Sequence, residues 1–333
     1  MKKVLLGKSQ IPLSPITFGA WAIGGWMWGG SEKKDSLRAL DACLDHGITS
    51  IDTAPIYGFG HSERVVGEAI KGKRDKYEIL TKAGMRWENS LGEYFFTTRD
   101  NDGKVRDVYK YSGKDSIIAE CEDSLKRLGT DYIDLYQIHW PDMTTPIEEP
   151  MEAFQILLDQ GKIRAAGVSN YSLEQMIKAD AAVELSSNQL PYSMVRREIE
   201  DDVVPWCLEN DCGILAYSPL QRGLLTGKIT PEHHFEPGDN RPETPYFKVN
   251  NLIMTNKFLD EIKPLAEEKG ATLSQLVIAW TLRQPGITVA LAGARNEAQV
   301  IQNARAAEVV ISDEELNMIN AKLGALAQEL ELD

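Results

Sequence analysis

Residues 50–63 read SIDTAPIYGFGHSE. A short apolar run closes on an acid, Asp52, and Tyr57 follows among Gly and Pro. A carboxylate at the tip of a buried strand is costly unless a cation or a hydrogen-bond donor meets it. The stretch therefore predicts a strand whose end opens onto a polar site, and Asp52 needs a partner from elsewhere in the chain.

The same pattern recurs outward from it. Strand-like runs lie at 15–19 (PITFG), 49–52, 77–82 (YEILTK), 133–139 (IDLYQIH), 163–170 (IRAAGVSN), 186–190, 213–218 (GILAYS) and 288–293. Amphipathic helical patterns fill the gaps at 32–46, 62–71, 114–128, 147–160, 172–179, 200–210, 251–269 with 272–283, and 297–304. The segment 312–322, opened by SDEE, adds a terminal helix. VLLGKSQIPLS near the start reads as a β-hairpin. Eight strands separated by helices predict an α/β fold of the (β/α)8 TIM-barrel type rather than an open sheet. No internal repeat or low-complexity linker divides the chain, so residues 1–333 are expected to form one domain. Two connections are long, 83–113 after the third strand and 219–250 after the seventh. Such loops usually serve as lids or binding loops, and the first is expected to act as a partial lid.

Composition narrows the function classes. Hydrophobic residues make up 43% and charged residues 26%, as in soluble globular proteins. A net charge of −14 argues against nucleic acid or an anionic membrane as the main partner. The opening MKKVLLGKSQ is too short in apolar residues for a signal peptide, and no run is long enough to cross a bilayer. Cys43, Cys121, Cys207 and Cys212 form no C-x-x-C pair, and the first two fall in helical patterns as small buried hydrophobes. No H-E-x-x-H occurs, and His233-His234 lies in a polar loop. A reducing cytoplasm and no structural metal are the expectation.

In a barrel, the carboxyl ends of all strands open onto one face, where active sites of this architecture are built. Asp52, Lys82, His139, Ser169-Asn170, Gln189, Tyr217-Ser218, and Gly293 with Arg295 all stand at such ends. Singly, each has an ordinary reading: Asp52 as a cap, Lys82 as a solvated cation, Tyr57 as a packed aromatic, His139 as a core histidine. Together they are hard to explain by packing, and the joint pattern points to chemistry.

The ordered motifs DTAPIYG, TK, KRLGTDYIDLYQIHWPD, GVSN and AYSPL resemble the aldo-keto reductase superfamily, from about residue 4 to residue 320. Within it the chain looks similar to the bacterial branch related to the potassium-channel β subunit. The resemblance implies a catalytic tetrad of Asp52, Tyr57, Lys82 and His139. The physics of each role is readable beside it. Reducing a carbonyl needs a proton for the developing alkoxide, and a free tyrosine has a pKa of about 10. A neighbouring ammonium is expected to lower that value, with Asp52 holding Lys82 in place and His139 contacting the substrate oxygen.

No G-x-G-x-x-G follows a strand and opens a helix, which argues against a Rossmann site. The resemblance implies instead a nicotinamide cofactor across the barrel mouth, NADP(H) in preference to NAD(H). Ser169, Asn170 and Gln189 would hold its carboxamide, and Tyr217 would stack on its ring. Ser218, Leu220, Arg222, Gly223 and Lys228 would cradle the pyrophosphate. Gly293, Arg295, Gln299 and Asn303 would meet the adenosine end, with Arg295 suited to a 2′-phosphate. Gln302 stands where many family members carry Glu, and Arg295 has a surface ion pair with Glu297 as its ordinary reading. Trp21, Trp140 and Trp87 are the candidate substrate-pocket aromatics, with Tyr94, Phe95 and Phe96 of the 83–113 connection on the same rim, and aromatic faces suit sugars or aryl aldehydes. The predicted activity is NADP(H)-dependent reduction of aldehydes or ketones, sugar-derived ones among them. A redox-sensing regulatory subunit, a sugar dehydrogenase working oxidatively, and a Schiff-base aldolase built on Lys82 are the rival readings. The oligomeric state is not readable from the sequence.

Overall fold

The computed structural model describes residues 1–25, 32–235 and 239–332. Eight strands close into a parallel barrel in sequence order. They are β1 (Ile16–Gly19), β2 (Ser50–Asp52), β3 (Glu78–Ala83), β4 (Ile133–Ile138), β5 (Ile163–Ser169), β6 (Leu185–Pro191), β7 (Gly213–Tyr217) and β8 (Ile287–Gly293). The helices are α1 (Lys33–Asp45), α2 (His61–Ile70), α3 (Lys114–Leu128), α4 (Glu148–Asp159), α5 (Leu173–Ala182), α6 (Val203–Glu209), α7 (Val249–Glu268), α8 (Leu273–Leu282), α9 (Glu297–Arg305) and α10 (Asp313–Glu329). Each predicted strand and helix is present, with ends displaced by up to three residues, except that α10 runs on to Glu329 from an expected end at 322. Ser172, Thr272 and Ser312 start α5, α8 and α10 with complete capping boxes.

Strands covered on both faces read as continuous apolar runs, and β3 and β4 are buried along their whole length. Inside the barrel, Leu80, Leu135, Ala165, Leu215 and Val289 pack with Leu6, Ile11 and Leu13 of the amino-terminal hairpin. That hairpin pairs Val4–Leu6 with Ile11–Leu13 and plugs the amino-terminal end, where the Lys8 amide donates to the Asp211 carbonyl ahead of β7. The outer core lies between sheet and helices, and Cys43 and Cys121 are buried there as expected. Among the described residues no helix is long and apolar enough to cross a membrane.

The connection after β3 differs from the loop expected. Met85–Arg86, Glu93–Arg99 and Val105–Lys110 form a three-stranded antiparallel sheet. Its tight turn runs from Asp100 to Lys104, and Asn101 Nδ2 donates to the Gly24 carbonyl at 2.9 Å, tying the tip to the loop after β1. The alternation in EYFFTTR and VRDVYK around DNDG carries this hairpin signal. Among its described residues, which leave out 236–238, the connection after β7 has 3-10 turns at Gln221–Thr226, Arg241–Glu243 and Pro245–Phe247.

Backbone strain gathers at the same barrel mouth. Of the described non-glycine residues with positive φ, Phe59 follows β2, Asn170 follows β5, and Ser218, Gln221 and Arg222 follow β7. Only Gln10 and Asp211 lie elsewhere. Such conformations cost on the order of 1–3 kcal/mol each and cluster at functional sites.

Candidate active site

Asp52 ends β2 and Lys82 lies one residue from the end of β3. Lys82 is fully buried and Asp52 is 2% exposed. The Lys82 ammonium donates to Asp52 Oδ1 at 2.6 Å, to the Thr53 carbonyl at 3.0 Å and to Tyr57 Oη at 3.4 Å. Its three hydrogens are all accounted for, so the cation that meets Asp52 is Lys82 and the pair is aimed at Tyr57. The second oxygen of Asp52 accepts from Gln189 Nε2 at 2.8 Å and from Gln137 Nε2 at 3.4 Å. Gln137 was not singled out from the sequence, although it stands two positions before His139 on the same face of β4, a spacing that carries the signal.

Tyr57 is held by its loop. Gly58 has φ +66, and a Cβ there would lie 2.0 Å from the Gly24 carbonyl oxygen. Only glycine lets this loop fold against the one after β1. The Tyr57 ring stacks on Trp21 at 5.9 Å and meets the His139 ring edge-on at 5.7 Å.

Electrostatics depart from the expectation at Tyr57. Burial first, and the Asp52 carboxylate second, push its hydroxyl well above the ordinary phenol value. The Lys82 charge is spent on Asp52, so the pair presents little net positive field to lower it. Burial draws the Lys82 pKa down while Asp52 pulls it back. His139 falls well below the ordinary imidazole value, through burial and then the nearby Lys82 charge. The site thus presents a protonated phenol beside a neutral imidazole at neutral pH.

A cavity of about 810 Å³ opens over this group across the barrel mouth. Asp52, Tyr57 and His139 line it, with Lys82 behind them, as does every cofactor candidate named from the sequence. Asn170 Nδ2 donates to the His139 carbonyl and to Ser169 Oγ, both at 3.0 Å, while its Oδ1 accepts from Tyr217 Oη at 2.9 Å. Gln299 Oε1 accepts from the Arg295 amide at 2.8 Å, and Asn303 Nδ2 donates to the Gly293 carbonyl at 3.2 Å. Trp21 and Trp140 stand in the wall, joined by Phe95, Phe96, Thr97 and Thr98 from the inserted sheet. Trp87 is not in this lining and packs edge-on against Phe59 at 5.2 Å, while Phe95 and Phe96 of the same aromatic rim are in it.

The donor set fits a dinucleotide. The far part of the cavity carries Arg222, Lys228 and Arg241, the last not recognised in the sequence. Arg222 Nε is buried without a partner among the described residues, a donor waiting for an anionic oxygen. Burial lowers the Arg222 pKa, the Asp239 carboxylate offsets part of that, and Arg241 nearby adds to the lowering. The positive-φ residues Ser218, Gln221 and Arg222 with Gly223 bring the backbone there into a tight loop suited to an anionic group.

A sequence profile of the Aldo/keto reductase family matches residues 15–323. The chain belongs to the aldo/keto reductase family. An aldo-keto reductase of Bacillus subtilis, YhdN, is 43% identical over 303 residues, 90% of this chain and 87% of the relative. The NADH-specific methylglyoxal reductase of Escherichia coli is 36% identical, covering 98% and 99%. A probable voltage-gated potassium channel subunit beta of Arabidopsis thaliana is 30% identical over 92% and 90%, in keeping with the branch the motifs resemble. Among solved structures, the glycerol dehydrogenase AKR11B4 of Gluconobacter oxydans superposes with a TM-score of 0.89 at 38% identity, covering 100% and 98%. An aldo/keto reductase of Klebsiella pneumoniae in complex with NADP and acetate gives 0.72 at 28% identity over the whole of both chains. This aldo/keto reductase therefore has the fold and family that its strand-end residues indicated.

Proposed function

We propose that this aldo/keto reductase, working as one domain, reduces aldehydes or ketones, sugar-derived ones among them, to alcohols with a nicotinamide cofactor, NADP(H) in preference to NAD(H). The observation that carries the reading is the Lys82 ammonium, which fixes Asp52 on one side and Tyr57 on the other beneath the cavity. The cofactor, when bound, supplies the hydride. Ser169, Asn170 and the oxygen of Gln189 hold its carboxamide, and Tyr217 offers its ring to the nicotinamide. Ser218, Leu220, Arg222, Gly223 and Lys228 hold the diphosphate, while Gly293, Arg295, Gln299 and Asn303 hold the adenosine end.

Tyr57 remains protonated at neutral pH, so its proton is in place whenever a carbonyl arrives. The Oη proton passes to the substrate oxygen as negative charge develops there, and the phenolate left behind keeps the hydrogen bond that the Lys82 ammonium donates to Oη. His139, neutral, steadies the same oxygen through a hydrogen bond. Trp21, Trp140, Phe95 and Phe96 exclude water from the reacting centre.

The cofactor preference rests on Arg295, which matches a 2′-phosphate. The NADP complex of the Klebsiella pneumoniae relative supports it, while the NADH-specific Escherichia coli relative keeps NAD(H) in play. Oxidation of a polyol is the second reading, favoured by the structural likeness to a glycerol dehydrogenase. Parallel titration with NADPH and NADH, followed by quenching of tryptophan fluorescence, tests the proposal. Tight NADPH with much weaker NADH is expected. Equal affinities would remove the phosphate role of Arg295, and binding of neither would end the oxidoreductase reading. Cofactor binding without turnover of any simple aldehyde or polyol would leave the regulatory-subunit reading in its place.

A further inference from the structure

The tetrad does not explain why two glutamine amides are buried beneath the cavity. Gln137 is fully buried and Gln189 is 3% exposed. They come from β4 and β6, with Asp52 from β2, so alternate strands of the barrel converge in one polar layer. Gln137 is the register partner of Lys82 across the β3–β4 pairing. Gln189 Nε2 donates to Asp52 Oδ2 at 2.8 Å and to Gln137 Oε1 at 3.4 Å. Gln137 Nε2 in turn donates to the same Asp52 oxygen at 3.4 Å. Both hydrogens of the Gln189 amide are thereby used inward, and Oε1 is the polar atom that Gln189 has left to offer the cavity it lines.

We propose that Gln137, which does not itself line the cavity, is a positioning residue: it locks the Gln189 amide so that its oxygen, not its nitrogen, meets the ligand. A cavity acceptor of this kind selects a group carrying an N–H. On the cofactor reading above, on which this inference rests, that group is the nicotinamide carboxamide. Gln137 also keeps Asp52 Oδ2 occupied, so that Asp52 presents one oxygen to Lys82 and leaves an ammonium hydrogen for Tyr57. One amide thus ties cofactor selection to the placement of the Asp52–Lys82 pair. Without it, Gln189 holds Asp52 through a single contact and its amide is free to swing.

The test compares NADPH with its 3-acetylpyridine analogue, in which a methyl ketone replaces the carboxamide and no N–H remains. The wild-type protein should bind NADPH about tenfold more tightly than the analogue, the worth of one well-placed buried hydrogen bond. Gln137→Met, close in volume, should lose most of that preference by weakening NADPH and not the analogue. Gln189→Met should lose it as well, and the double variant should lose no more than Gln189→Met alone, because Gln137 acts through Gln189. Thermal unfolding identifies whether Gln137→Met folds. Should it not, Gln137→Glu is measured instead. Beside Asp52 its carboxyl is expected to hold a proton, so it keeps both a donor and an acceptor, and the preference should persist. Equal weakening of both ligands by Gln137→Met, additive effects in the double variant, or loss of the preference in Gln137→Glu would overturn the proposal. If wild type binds both ligands without preference, the carboxamide contact is wrong while the cofactor reading stands. If wild type binds neither, the cofactor reading itself fails and this inference with it.

Discussion

At the scale of single residues, the site is a buried ion pair with one job for each hydrogen-bonding atom. Taking an ammonium and a carboxylate out of water costs several kcal/mol per ion, repaid only when both are paired and their remaining atoms satisfied. Lys82 and Asp52 meet that condition through Thr53, Tyr57, Gln137 and Gln189. Replacing Lys82 by Met strands the Asp52 charge, and a loss of about 3–5 kcal/mol of stability is expected, read by urea unfolding. The double replacement Asp52→Asn with Lys82→Met should recover most of that loss, since no lone charge is left, while turnover stays abolished. His139 gives a pH prediction whose sign follows from its shift. Its folded pKa lies well below the unfolded value, so the unfolded chain takes up the proton first. Stability from this residue is complete above about pH 6.5 and falls as pH drops below it, by up to about 1.4 kcal/mol per pH unit. His139→Gln should flatten that part of the stability profile between about pH 6.5 and pH 5.5, above the range where carboxylates titrate. An unchanged slope would place the titration elsewhere.

At the scale of elements, the insert after β3 shapes the pocket. Phe95 tilts against Trp140 at 5.5 Å and against Phe96 at 5.0 Å. Phe95→Ala removes a wall and not a reacting group, so KM for an aryl aldehyde should rise about tenfold with kcat little changed. A small aliphatic aldehyde should show little difference, and a fall in kcat for both would mean that the insert does more than shape the pocket. The strands and helices were legible in the sequence because hydrophobic period and capping residues are local signals, as in the SDEE that opens α10 at Ser312. The insert was misread as a loop because its alternation is interrupted by paired aromatics, Phe95-Phe96, where the pairing register shifts between Tyr94 and Phe96. Which aromatics of the insert reach the cavity was not legible either: Trp87 packs on Phe59, a long-range contact that sequence position cannot convey. Gln137 and Arg241 were missed for a related reason. Their meaning comes from Asp52 and Arg222, partners far away in the chain.

At the scale of the whole molecule, the barrel's function is convergence. Residues from position 19 to position 303 line one cavity because eight parallel strands deliver their carboxyl ends to one face, while the hairpin seals the other. The Tyr57 pKa shows what the sequence could not supply. A lysine near a tyrosine predicts a lowered value, but in the folded molecule the net charge of the Lys82–Asp52 pair and the depth of burial decide, and the shift runs upward. The account's central claim is that Tyr57 delivers the proton from beneath this cavity, and turnover of Tyr57→Phe with NADPH and a simple aldehyde tests it most directly. The replacement deletes one oxygen and keeps the ring that packs on Trp21. The account predicts a fall in kcat of about 100-fold or more, the range for losing a positioned acid, with NADPH affinity unchanged. A decrease of only several-fold, with the cofactor still bound, would contradict it and assign the proton to another group.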